Sequence, residues 1–192
     1  MIESVQELKE MAELTRDKLA VIKEYVKETA EDLNEAFETK RHEKELKDKL
    51  DLIISKNKDL ATSTEKVIRI NQDELLWIDK TKKATTTLDE SKLTPEELEK
   101  YNQLKIDINK KIEKQKEIEK KMEVVDEVIS SIRYVILKNQ PEIKASDLSE
   151  TLNSLVSMYD EANDIMGEIF VGIKSFVFKM KNWFMGIFNT KK

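Results

Sequence analysis

The chain contains no cysteine, a single histidine, two prolines and three glycines, none of the glycines before residue 167. Each scarcity closes a class of function. Without cysteine there is no disulfide framework, no thiolate metal site and no cysteine nucleophile. His42 stands in the charged run Glu38-Thr39-Lys40-Arg41-His42-Glu43-Lys44-Glu45, with no apolar shield. A His-Glu-x-x-His zinc site and the paired Glu-x-x-His of di-iron bundles both need a second histidine. A glycine-free stretch of this length holds no Gly-rich phosphate loop.

Arginine is also scarce, with Arg16, Arg41, Arg69 and Arg133 set against thirty lysines. Bidentate recognition of phosphates or bases has little to work with. No catalytic constellation emerges. The chain is therefore expected to be non-enzymatic, without metal or cofactor, and to have neither a nucleic-acid partner nor a small-molecule substrate. The N-terminus, Met1-Ile2-Glu3-Ser4-Val5-Gln6-Glu7-Leu8, lacks the basic region and apolar stretch of a Sec signal peptide. A cytoplasmic or peripheral-membrane location is expected, and signal-less secretion by a dedicated machine stays open.

What is present is the composition of long helices: charged residues make up 38% of the 192, with leucine, isoleucine, lysine and glutamate prominent. Apolar residues recur at three- and four-residue steps through Leu19, Ile22, Val26 and Leu33, and again through Leu46, Leu50, Ile53, Leu60, Val67, Leu75 and Ile78. Residues 1–84 read as one long helix, with a bend costing least near 40–45, where the pattern thins but no breaker stands. Residues 85–94 read as a loop. Thr94 then supplies an N-cap, Pro95 the first helical position and Glu97 the return bond of a capping box. A second helix is predicted over 95–138, with a heptad seam of Ile118, Met122, Val125, Ile129, Ile132 and Ile136. The run Lys110 to Glu117 reads as a solvated coiled-coil surface. Asn139-Gln140-Pro141 ends the helix, 139–146 form a turn, and Ser146 or a neighbour caps a third helix over 147–190.

The fold expected is all-α: an elongated antiparallel coiled-coil or helical bundle of three or four long helices with a C-terminal amphipathic helix. If the first helix splits near residue 40, an up-down four-helix bundle results. If not, the first helix projects as a stalk from a three-helix bundle. Either rod is expected to lack a natural pocket. Asn57, Asn71 and Gln115 fall near seam positions and are expected to fix register. Trp77, with Leu75, Leu76 and Ile78, makes a cluster too wide for a seam, suited to the core or to docking the tail.

The last segment differs from the rest. Between Ile165 and Phe188 lie five of the six phenylalanines, one of two tryptophans and every glycine. After Phe170 come five lysines and no acid, so the overall −5 divides into +5 on the tail and −10 on the remainder. The third helix carries an uninterrupted seam of Leu148, Leu152, Leu155, Tyr159, Ala162, Met166, Ile169, Ile173, Phe176, Met180, Trp183 and Ile187. A narrow polar stripe interrupts the apolar circumference: Glu168, Gly172, Ser175, Lys179, Asn182, Gly186 and Asn189. The apolar arc is wider than the core-facing arc of a soluble helix.

Lysines near the centre of a bilayer each cost roughly 2.5–3.5 kcal/mol, which disfavours a spanning anchor. An interfacial helix suits the segment better. Phe170, Phe176, Phe178, Trp183, Phe184 and Phe188 are the expected apolar anchors to a membrane or partner, and Lys174, Lys179 and Lys181 the attraction to an anionic surface. The same stripe also suits burial in a bundle or oligomer. The functional expectation is a scaffold or oligomerising protein that associates with anionic membranes through this helix. Its rivals are a pore-forming or translocator component with a masked, insertable helix, and an adaptor docking the helix on a protein partner. The glycines suit close helix approach, bending, or simple completion of the polar face.

Overall fold

The computed structural model describes residues 2–38, 43–138 and 145–188, and the side chains of 2, 138, 145–147, 187 and 188 lie outside the described set. Four long helices account for nearly all of it: α1 (Ile2–Phe37), α2 (Lys44–Thr87), α3 (Pro95–Lys138) and α4 (Ala145–Phe188), with a 3₁₀ turn at Glu90–Lys92. There is no strand among the described residues. The all-α bundle expected from composition and period is what forms.

The unbroken first helix is not. The apolar pattern thins where α1 stops at Phe37 and α2 starts at Lys44, and the two helices lie side by side. Folding back lets Phe37 and Leu46 both be buried in one core, whereas a continuous stalk would leave one helix's seam in water. Residues 39–42, His42 among them, lie outside the described residues.

α2 also runs past the expected loop start to Thr87, its last turn carrying threonine hydroxyls that bond back to carbonyls three or four residues earlier. The start of α3 is as expected. The Thr94 amide donates to Glu97 Oε2 at 2.9 Å, and the Glu97 amide to Thr94 Oγ1 at 3.2 Å, a reciprocal capping box. α3 ends at Lys138 and α4 begins at Ala145, which places Ser146 in its first turn. The expected Asn139-Gln140-Pro141 stop lies outside the described residues.

α1 packs beside α2 and α3, and α4 packs beside α2 and α3, so α1/α4 and α2/α3 are the diagonals. Lys9–Asp79 and Lys23–Glu65 pairs show α1 and α2 antiparallel, and Lys121–Glu168 with Lys111–Gly172 does the same for α3 and α4. Lys18–Glu119 and Arg133–Glu28 place α1 parallel to α3, and Lys49–Ser149 with Tyr159–Asn57 places α2 parallel to α4. The short link at 88–94 therefore joins diagonal helices, and helices successive in sequence are not all neighbours.

Each helix contributes one seam. That of α2 includes Leu50, Ile53, Asn57, Leu60, Thr64, Val67, Asn71, Glu74, Ile78, Thr81 and Thr85, all buried, at alternating three- and four-residue steps. Buried threonines satisfy their hydroxyls internally: Thr15, Thr29, Thr64 and Thr81 donate to the carbonyls of Met11, Tyr25, Leu60 and Trp77 at 2.6–2.9 Å. Asn57 Nδ2 donates to the Val26 carbonyl and its Oδ1 accepts from the Tyr159 hydroxyl at 2.8 Å, while Asn71 Nδ2 donates to the Ala12 carbonyl. The seam polar residues named from sequence thus tie α2 to α1 and α4.

Candidate functional site

Two apolar cores lie end to end inside the bundle. The larger holds residues from Leu19 on α1 to Ile173 on α4. The smaller, at the end where α1 starts and α4 finishes, holds Val5, Leu8, Ala12, Ile78, Leu104, Ile108, Ile112, Phe176 and Met180. Between them is a polar layer. Lys111 Nζ sits 3.2 Å from Glu74 Oε1, and Gln115 Nε2 donates to the same oxygen at 2.9 Å. Glu74, Lys111 and Gln115 are all buried, and the Lys111 ammonium lies 4.4 Å from the centre of the Phe176 ring. Burial pushes the Glu74 carboxyl above its ordinary value against the pull of Lys111 and Gln115. It pushes the Lys111 ammonium below its own, and the charges of Lys114 and Lys179 push the same way.

The distal half of α4 covers the smaller core, and it divides the expected anchor residues among three surroundings. Phe176 is buried in the small core, and Trp183 is packed against it, half-buried. Phe170 is half-buried on the larger core, with the Lys174 ammonium 5.7 Å from its ring centre. Phe184 meets Trp77 edge to face at 5.5 Å. The Trp77 cluster is therefore both core and tail dock: Ile78 is buried, Leu75 and Trp77 pack on the small core, and Leu76 faces out. Phe178 is 66% exposed. Lys174, Lys179 and Lys181 are exposed, and the Phe188 side chain lies outside the described residues.

The outward face of α4 has its own order. Val171, Phe178 and Met185, exposed at 66%, 66% and 44%, repeat every seven residues. Lys174 and Lys181 fall between them, giving the stripe Val171-Lys174-Phe178-Lys181-Met185 at three- and four-residue steps. Val171 and Met185 were not singled out by sequence reasoning. Their seven-residue spacing from Phe178 was the available signal, hidden because the whole segment is apolar.

The polar stripe of α4 turns toward α3 and lines a groove of about 460 Å³. Its α3 wall runs from Lys100 to Lys114 and its α4 wall from Gly172 to Gly186, with Leu104, Phe176, Met180 and Trp183 as apolar lining. The pocketless rod expected from helix lengths is corrected here. The cause is the small side chains on the α4 wall: Gly172, Ser175 and Gly186 leave open the space that larger residues would fill. None of the glycines is enforced by close packing, since a Cβ at Gly167 or Gly186 meets nothing within 4 Å and one at Gly172 makes only a 3.5 Å contact with Ile118.

The Lys110–Glu117 run is likewise corrected. Lys111, Ile112 and Gln115 are buried and only the intervening charges are solvated. No helix among the described residues is long and apolar enough to cross a membrane, and no cluster of potential metal ligands is found among them. Comparison with protein-family models, with curated proteins and with solved structures finds no match to the chain.

Proposed function

We propose that the chain is a non-enzymatic helical scaffold that attaches to anionic membrane surfaces through the outward face of α4. The observation that carries this reading is the stripe Val171-Lys174-Phe178-Lys181-Met185. It is exposed, alternates large apolar side chains with lysines, and lies on the one segment of an acidic protein that bears only positive charge. Apolar side chains on such a face enter the acyl boundary while lysine stems snorkel to headgroups. Each lysine near an anionic surface adds about 1 kcal/mol, an attraction that salt weakens. Only the outer stripe takes part, because Phe176 and Trp183 already hold the small core together.

Co-sedimentation with vesicles tests the reading. Binding should require anionic lipid, fall with salt, and be lost in a Val171→Glu, Phe178→Glu variant whose circular dichroism is unchanged. Equal sedimentation of that variant with anionic vesicles overturns it.

A second reading has support from the divided core. The α4 half beyond the polar layer is held by the smaller apolar cluster, the arrangement suited to a masked helix released for insertion. Dye release from vesicles separates the two, since surface attachment alone leaves the dye inside.

A further inference from the structure

The groove between α3 and α4 has a polarity along its length. In this antiparallel pair Lys111 meets Gly172, so the Lys114 end of the α3 wall lies near Gly172 and the Lys100 end near Gly186. Lys110, Lys111 and Lys114 therefore gather toward the inner part, with Lys179 at the middle of the α4 wall beside Lys111, while Leu104 and Trp183, with Met180, line the groove on toward the end of the bundle. Five lysines line the groove and one carboxylate does, that of Asp107, which accepts from Gln103 at 3.1 Å.

Lys111 is neutralised by Glu74. Lys110, Lys114 and Lys179 are exposed and make no ion pair among the described residues. Five lysines elsewhere on the bundle, Lys9, Lys18, Lys23, Lys56 and Lys121, each meet a carboxylate on another helix. Three unmatched ammonium groups beside an apolar trough, in a protein of net charge −5, make a local excess of the opposite sign.

We propose that this groove binds a long-chain fatty acid, its carboxylate among Lys110, Lys114 and Lys179 and its chain along Leu104, Met180 and Trp183. The fifteen-residue walls span about 21 Å at 1.5 Å per residue, the scale of an extended acyl chain. The volume lies within the range of small-molecule sites, and the apolar lining with a few convergent charges at one end is the chemistry an amphiphilic anion requires. Because Gly172, Ser175 and Gly186 keep the groove open, the chain enters without displacing α4. The site is independent of membrane attachment, which uses the neighbouring outward stripe.

Fluorescence of Trp183 reports occupancy. In full-length protein carrying Trp77→Phe, Trp183 is the remaining tryptophan. Titration with a brominated stearate below its micellar range, without vesicles, should give saturable quenching that unlabelled palmitate reverses. A Lys110→Glu, Lys114→Glu, Lys179→Glu variant should bind at least tenfold more weakly, and Ser175→Leu, which fills the groove while leaving the charges, should lose saturable quenching. Lys110, Lys114, Ser175 and Lys179 are exposed, Trp77→Phe keeps an aromatic ring at a half-buried position, and unchanged thermal melts confirm the fold. Unsaturable quenching, equal quenching by the brominated methyl ester, or undiminished affinity in the triple variant overturns the proposal. Since no membrane is present, Val171→Glu, Phe178→Glu should bind the fatty acid normally, so the two readings fail separately.

Discussion

Lys111 on α3 and Glu74 on α2 meet 3.2 Å apart across a diagonal of the bundle, with Lys111 at 3% exposure and Glu74 at none. Helices α2 and α3 are not packed as neighbours, so this pair and the Gln115–Glu74 hydrogen bond join them through the centre. A buried pair of this kind fixes register more surely than it adds stability, because desolvating two charges consumes much of their attraction. Removing one partner strands the other. Lys111→Met alone should destabilise the fold by about 3–5 kcal/mol, whereas Lys111→Met with Glu74→Leu should be near neutral or stabilising. Urea denaturation of the wild type, both single variants and the double variant gives the coupling directly.

The same pair sets an unusual pH dependence. Burial holds the Glu74 carboxyl above its unfolded value of 4.5, so the folded chain takes up this proton more readily than the unfolded chain. Its contribution to stability is complete below the unfolded value and is lost as pH rises through the folded value. Glu65, held low by Lys23, has the opposite slope: its contribution is lost as pH falls. Stability of the wild type relative to Glu74→Gln should therefore increase on going from neutrality toward pH 4.5. Parallel urea titrations at several pH values measure the difference, and the sign of the slope decides it.

Most of the bundle was legible because its cue is a period. The α4 seam from Leu148 to Met180, named from spacing alone, is buried throughout, and so is the α3 seam from Ile118 to Ile136. The Thr94–Glu97 box was legible because capping chemistry is local. What escaped was polar residues in phase with the seam. Glu74 and Lys111 occupy heptad positions between Asn71 and Ile78 and between Ile108 and Gln115, but a charged residue within a charged run looks solvated until its partner on another helix is known. The split of the first helix was one of two layouts left open for a related reason: the residues around His42 lack a breaker, and the reversal between α1 and α2 is favoured by the two seams that it brings together. The groove was invisible because a pocket between helices depends on which small residues face which neighbour.

Gly167 gives a simple test of whether the α4 glycines serve stability. A Cβ there meets no atom within 4 Å, and glycine inside a helix is worse than alanine by about 0.8–1 kcal/mol. Gly167→Ala should raise stability by about that amount, a shift of roughly 2–4 °C in a thermal melt for a chain of this size. If the melt rises while vesicle binding falls, the glycine serves motion of α4 and not its packing.

Tyr159 and Asn57 tie α4 to α2 inside the larger core. The phenol donates to Asn57 Oδ1 at 2.8 Å, and burial pushes its ionisation upward. Tyr159→Phe keeps the ring but leaves the amide oxygen without that donor, which should cost about 1–3 kcal/mol. Adding Asn57→Leu removes the stranded acceptor and should recover part of the loss. A double-mutant cycle by chemical denaturation isolates the bond.

The two cores should also open separately. Beyond the Glu74–Lys111–Gln115 layer, α4 is held by Phe176 and Met180 with half-buried Trp183, against the longer buried run from Leu148 to Ile173 on the other side. Local opening follows the apolar surface that must be exposed, so amides of 174–186 should exchange faster than those of 152–169, and the start of α1 around Val5 and Leu8 should open with them. The comparison is internal to one helix, which removes differences in solvent or temperature. Glu74→Leu with Lys111→Met replaces the dividing layer by apolar side chains and joins the two clusters. In that variant the two halves of α4 should exchange at more nearly equal rates, because opening one end then disrupts packing continuous with the other. Uniform protection along α4 in the wild type would show that the polar layer couples the cores instead of separating them, and would remove the support that the divided core lends to a releasable helix.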